Sequence, residues 1–358
     1  MIYREAGEFK STYTQDGQTF PIRLDKAGYW AILAIAFILI PLTITEYMAN
    51  AVLVPFLIWA IIAIGLNILT GYCGQVSLGT GGFMAVGAYA AYKLMTAMPE
   101  LNIFFVILLS GGVTALVGLL FGLPSLRIKG FYLAVATLAA QFFLVWLFNR
   151  VGWFYNYSAS GQINAPDRTV FGFEVTGPIA TAEAKYLFCL VFVFMLAWMA
   201  RNLTRGRLGR SWMAIRDMDI AAEIIGVNPL KAKLSAFAIS SFYVGIGGAL
   251  FFTVYLGAVE VGEVFGINKS FLALFMIIIG GLGSIFGSFA VAAFIVLMPV
   301  LLKNIMVGGF GWPTDIAAHF EFIILGLLII LFLILEPHGL AALWRIVKEK
   351  LRLWPFPH

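Results

Sequence analysis

Ten runs of apolar residues divide this chain, and none carries Asp, Glu, Lys or Arg at its centre. A helix that crosses a bilayer needs roughly 20 such residues. The runs cover about 28–44, 50–70, 76–93, 103–123, 131–148, 185–200, 234–256, 270–283, 286–302 and 322–336. The third and eighth are short or interrupted by glycine. The pattern predicts an all-α polytopic membrane protein with about ten transmembrane helices.

Composition and charge point the same way. Of 358 residues, 61% are hydrophobic and 11% charged, which no water-soluble domain resembles. An even number of spans puts both termini on one side. Loops on that side hold 17 of the 23 Lys and Arg, and the opposite loops hold 6. The positive-inside rule then predicts cytoplasmic termini. The net charge of +5 is read as topology and gives no reason to expect nucleic acid. The chain divides into an N-terminal cytoplasmic tail (1–26), a transmembrane domain (27–336) and a C-terminal cytoplasmic tail (337–358). The longest segments outside the runs are an external loop at 149–184 and a cytoplasmic loop at 201–233. The first 26 residues are too polar for a signal-peptide core.

Several chemistries lack their residues. The two cysteines, Cys73 and Cys189, and the three histidines are scattered, with no metal-ligand spacing, so no metal site is expected. Both cysteines lie in apolar segments and read as packing residues. No GxxxxGK[ST], HExxH or GxSxG motif occurs, so no catalytic residues are assigned. Proton-driven carriers need carboxylates or histidines at membrane depth. Their absence argues against a self-sufficient carrier, and energy for uphill transport would enter from another subunit.

The cytoplasmic loop reads RNLTRGRLGRSWMAIRDMDIAAEIIGVNPLKAK. Four arginines open it. A helical pattern runs from about Ser211 to Ile225, with Trp212, Ile215 and Ala222 on one stripe and Ala214, Ala221 and Ile225 on the next. Asp219 and Glu223 stand at i,i+4. Gly226 and Asn228-Pro229 stop the helix. One helix of about four turns is predicted, either connecting two spans or docking on a partner.

The glycines of GYCGQVSLGTGGFMAVGAY (71–89) need a separate account. Gly79, Phe83, Gly87 and Ala91 share a face and suit close helix packing in lipid. Gly71, Gly74, Gly81 and Gly82 lie off that face and predict a turn or broken helix. Gln75, Ser77 and Thr80 would offer hydrogen bonds to a solute or to freed backbone. IGGLGSIFGS (279–288) reads as a similar device, with Gly280, Gly281, Gly283 and Ser284. These residues are candidates for helix packing or for the translocation pathway. Trp30, Trp153, Trp198 and Trp312 fall near span ends as interfacial anchors.

Four pieces, taken together, resemble a known family. They are LNILTGYCGQVSLGTGGFMAVGAYAAY, RLGRSWMAIRDMDIAAEIIGVNPLKAKLSAFAISSFYVGIGGALF, MIIIGGLGSIFGS and LLIILFLILEPHGL. The resemblance is to bacterial ABC importer permeases of the branched-chain amino acid, LivM-type family. It implies a LivM/BtuC-like fold with about ten spans, beside a second related permease, two ATPase subunits and a periplasmic solute-binding protein. ATP and Mg would be bound by the ATPase partners, with no cofactor in this chain. The family's ATPase-contacting segment maps to Ala214, Ile215, Arg216, Asp217, Ala221, Ala222, Glu223 and Gly226. The general importer pattern has Glu where Ile220 stands. The implied function is import of small amino acids, branched-chain ones first, across the inner membrane by alternating access. Related importers for urea, short amides, and aromatic or dicarboxylic acids are the alternatives, and a secondary carrier or channel ranks lower.

Overall fold

The computed structural model describes residues 11–12, 23–125, 132–170, 172–177, 179–335 and 339–353. The tail expected over 1–26 lies almost wholly outside them. Every expected span coincides with a long helix: α1 (Lys26–Thr43), α2 (Glu46–Tyr72), α3 (Thr80–Ala97), α4 (Ile103–Ser125), α5 (Tyr132–Arg150) and α6 (Ala182–Arg205) come first. Two short helices, α7 (Arg207–Asp217) and α8 (Asp219–Ile224), precede α9 (Pro229–Leu256), α10 (Ile267–Gly280), α11 (Ile285–Gly309), α12 (Thr314–Leu335) and α13 (Gly339–Leu353). Among the described residues, eight helices are long and apolar enough to cross a membrane. Helices α3 and α12 are not among the eight; glycines, tyrosines and Lys93 dilute α3.

Helix α9 is the axis of the bundle and packs against α2, α3 and α4. Its Gly245–Gly248 stretch makes this possible. A Cβ on Gly87 of α3 would overlap the Gly245 carbonyl, and one on Gly248 would overlap the carbonyl of Met84. With no hydrophobic force between helices in lipid, such backbone contact is a main source of association. Asn228 caps α9 by accepting from the Lys231 N–H at 3.0 Å, and Pro229 occupies the first turn, where no amide is needed.

Five expectations change in detail. Helix α3 starts at Thr80 rather than 76, because the six residues before it are not helical. Gly74 there takes φ +71°, a left-handed conformation that glycine alone enters cheaply. Gly81 and Gly82 are not part of the bend; they lie in the first turn of α3 and let it approach other backbone. Helix α10 covers Ile267–Gly280, not 270–283, so Lys269 belongs to it, and residues 281–284 form the turn into α11. The single helix expected over Ser211–Ile225 is two, broken at Met218, whose backbone is extended (φ −162°, ψ 101°). The C-terminal segment is not a plain tail, since Gly339–Leu353 forms an amphipathic helix whose Trp344 stacks on Phe286 at 5.4 Å.

The end of the bundle opposite the 71–79 turn is closed by the long loop. Strand β1 (Ile163–Asn164) pairs antiparallel with β4 (Ala258–Val259), and β2 (Thr169–Val170) with β3 (Phe173–Glu174). Arg168 ties this loop to α3 by donating to the carbonyls of Met95 (2.6 Å) and Pro99. Lys93 lies over the Trp153 ring at 4.2 Å and donates to Asn156 Oδ1.

Candidate functional site

The two glycine-rich turns, 200 residues apart in sequence, meet at one buried asparagine. Asn67, near the end of α2, donates through Nδ2 to the Ser284 carbonyl and to Ser288 Oγ, each at 2.9 Å. Its Oδ1 accepts from the Gly283 N–H at 2.8 Å. Ser284 caps α11 by accepting from the Gly287 N–H at 3.0 Å. Gly281 and Gly283 reach these positions at φ +104° and +77°. Gly280 is packed against Gly287, so α10 and α11 touch backbone to backbone. Gly71 is packed against Asn67 and the Gly283 amide. The amide side chain is thus fully used, as a buried polar group must be. Cys73, just past α2, is also buried here, and burial pushes its thiol up to about 12, in keeping with a packing role.

Helix α7 sits against this hub, and α8 follows it along α9. Trp212, Ile215 and Ala222 are buried, and the Trp212 Nε1–H donates to Ser235 Oγ at 2.9 Å. The stripe read from the sequence is therefore the anchored face of the pair. Gly226, at φ +89°, turns the chain out of α8, and the Val227 N–H closes on the Ala222 carbonyl at 2.9 Å. Asp219 pairs with Lys233 of α9 at 3.8 Å. Ala214 is half-buried, while Arg216, Asp217, Ala221, Glu223 and Gly226 are exposed. Beside them stand Met218, Ile220, Ile224 and Ile225, all well exposed, with Ile224 at 81%. Four large apolar side chains around two six- to eleven-residue helices form a patch of the kind that marks a docking surface.

Arg216 connects that surface to the core. Its Nη1 donates to the Gly71 carbonyl at 2.9 Å, while Nε and Nη2 hold Asp217 Oδ1, each at 2.9 Å. Gly74 leaves room for its side chain: a Cβ there would stand 3.0 Å from Arg216 Cγ. One guanidinium therefore touches the short helix pair and the 71–79 turn, and through Gly71 and Asn67 the 281–284 turn.

A second polar cluster lies deeper, where α3 begins. The Gly81 N–H donates to Ser270 Oγ at 2.8 Å, and the Gly82 N–H donates to Gln141 Oε1. Ser270 Oγ also donates to Gln141 Oε1 (2.9 Å), and Gln141 Nε2 donates to the Phe265 carbonyl (2.8 Å). The Leu78 N–H donates to Thr137 Oγ1 at 2.9 Å. Side chains of α5 and α10 thus satisfy the free amides at the start of α3. Gln75, Ser77 and Thr80 behave differently from one another. Gln75 Nε2 reaches only the nearby Cys73 carbonyl (3.5 Å), and Ser77 Oγ accepts from the Gly79 N–H (3.4 Å). The Thr80 hydroxyl is buried with no partner among the described residues. Gly79 caps α3 and is packed against the Thr137 carbonyl of α5, and Gly87 makes the contact with Gly245.

Residues 48–333 match the family described as the branched-chain amino acid transport system / permease component. The chain belongs to this family. The high-affinity branched-chain amino acid transport system permease protein LivM of Salmonella typhimurium is 30% identical over 309 residues, covering 81% of this chain and 69% of that relative. LivM of Escherichia coli is 29% identical over the same shares. No solved structure matches the chain. As a member of this permease family, it is a multi-pass protein of the inner membrane. The matched segment runs from α2 into α12 and contains both glycine turns, α7, α8 and the deeper cluster; it leaves out α1 and α13.

Sequence reasoning did not single out Asn67, Gln141, Thr137, Ser270 or Lys269. The available signal was a polar residue inside an apolar run, as in LNILT and AAQFF.

Proposed function

We propose that this chain is one permease subunit of an ATP-driven importer that moves branched-chain amino acids inward by alternating access. The reading places both termini, α7, α8 and the two glycine turns in the cytoplasm, following the charge bias of the loops. The observation that carries it is the Arg216 bridge between an exposed apolar docking patch and the Gly71 turn. In this account two ATPase subunits hold ATP and Mg, and this chain binds no cofactor and performs no covalent chemistry. Ala221, Glu223, Gly226 and the exposed isoleucines enter a groove on one ATPase subunit, with Arg216 and Asp217 at its edge. Short amphipathic helices dock into grooves in this way, apolar anchors first. Closure of the ATPase pair pushes the helix pair, and Arg216 and Asn67 pass the displacement to the ends of α2, α10 and α11. Packed elements of this kind switch between discrete arrangements rather than deforming smoothly.

The opposite face, built from the β1–β4 and β2–β3 loops, receives a periplasmic solute-binding protein. A second, related permease completes the pathway. The substrate assignment draws on the names of the relatives, and the binding protein does much of the selection.

The test is reconstitution in liposomes with candidate ATPase subunits and the binding protein. Leucine uptake that requires ATP and both partners is expected. Uptake that persists without ATP would make the chain a carrier or channel and overturn the proposal.

A further inference from the structure

Helix α10 does not begin at the edge of the bundle. Trp59 is the central residue of the 27-residue helix α2, so it lies roughly 20 Å from either end of that helix. The Lys269 ammonium stands over the Trp59 ring, 5.9 Å from its centroid. A cation is therefore held near the middle of the membrane, on the first turn of α10.

Among the described residues no carboxylate lies within ion-pair distance of Lys269. Its surroundings add positive potential instead of cancelling it. The next residue, Ser270, bonds the Gly81 amide, so the starts of α3 and α10 converge at this level. Both helices therefore aim their positive ends at one place. The partnerless Thr80 hydroxyl opens α3 at the same convergence. Lys269 is only half-buried, and Asn268 beside it is exposed. An unpaired ammonium facing acyl chains at this depth is costly, so the open side of Lys269 faces a watery pathway or the partner subunit. Behind the cation lies a buried aromatic group: Trp59 meets Phe251 edge-on at 6.0 Å, and Phe251 contacts Tyr255 (5.2 Å) and Phe265 (6.3 Å).

We propose that Lys269 is the carboxylate-binding residue of a transit site halfway across the membrane, open on its Asn268 side, with the buried Trp59–Phe251–Phe265 group backing the ammonium. The group it selects is a carboxylate, one half of the amino-acid zwitterion, and the solute's own ammonium stays on the open side, away from Lys269. This rests on the import reading above and adds the place where the solute pauses. Lys269 supplies the charge that the solute lacks a partner for once it leaves water, and the cation–aromatic contact holds the ammonium when the site is empty.

The experiment compares wild type, K269Q, K269M and K269R in liposomes containing the complete complex, with labelled leucine as the probe. Co-elution of all subunits and the thermal midpoint are measured on the same preparations. K269Q and K269M are expected to assemble and to lose about tenfold or more of their uptake rate, the scale of a charge-assisted contact. K269R is expected to retain most of it. Wild-type uptake with undiminished rates in K269Q and K269M would overturn the transit site and leave the importer standing. Equal loss in K269R and K269Q, with assembly intact, would show that charge is not what matters and would also overturn it. Failure of both neutral variants to assemble would assign the cation to folding. A wild-type complex that moves no branched-chain amino acid would remove the import reading and this site with it.

Discussion

Two polar clusters interrupt the apolar bundle, and they differ in how completely they are closed. At the end near the short helices, Asn67 spends both ends of its amide on the 281–288 segment. At the deeper cluster Gln141 is equally committed, yet among the described residues the ammonium one residue along from Ser270 has no counter-charge and the Thr80 hydroxyl has no partner. Buried polar groups that are fully paired fix a structure; those left unpaired carry a penalty that needs a reason. The difference separates a mechanical joint from a binding surface.

The comparison can be broken at the joint first. Asn67→Ala would strand the Gly283 amide and the Ser284 carbonyl in the core and open a small cavity. A loss of about 3 kcal/mol or more in stability is expected, read as a clear fall in thermal midpoint and poor recovery of the complex. A variant as stable as wild type would mean that the two turns do not depend on Asn67. Second comes the exposed patch. Ile224→Asp with Ile225→Asp should leave the isolated permease folded, since both side chains are exposed. The pair should cost roughly 2 kcal/mol or more in ATPase binding, as lost apolar anchors do. Pull-down of the ATPase subunits at wild-type strength would sink the docking surface. The smallest effect belongs to the deeper cluster. Thr80→Ala removes a hydroxyl that bonds nothing, so stability should move by no more than about 0.5 kcal/mol. A large loss in the melting curve would show that the hydroxyl has a partner after all, and the contrast between the clusters would weaken.

How much of this was legible in the sequence depends on the range of the interaction. Span positions follow from local hydropathy, and every expected run coincides with a helix. The anchored stripe of Trp212, Ile215 and Ala222 also follows from local periodicity. The Met218 break does not, because no glycine or proline marks it. Asn67 was invisible as a hub because its partners lie more than 200 residues away. Lys269 was assigned to a loop because a hydropathy boundary is drawn just after a charge. Only the position of Trp59 within α2 reveals how deep that charge sits. The glycines were half legible: a bend after Gly71 was readable, but Gly81 serves a contact with the 265–270 segment and Gly82 one with Gln141 of α5, which no local pattern contains.

The central claim is that Arg216 transmits the movement of the short helices to the Gly71 turn. It is tested most directly by measuring leucine uptake and ATP hydrolysis together in a reconstituted Arg216→Ala complex. The account predicts that the ATPase subunits still bind and hydrolyse ATP while uptake per ATP falls about tenfold or more, the cost of losing one charge-assisted contact between two moving parts. Uptake per ATP equal to wild type in that complex would contradict it.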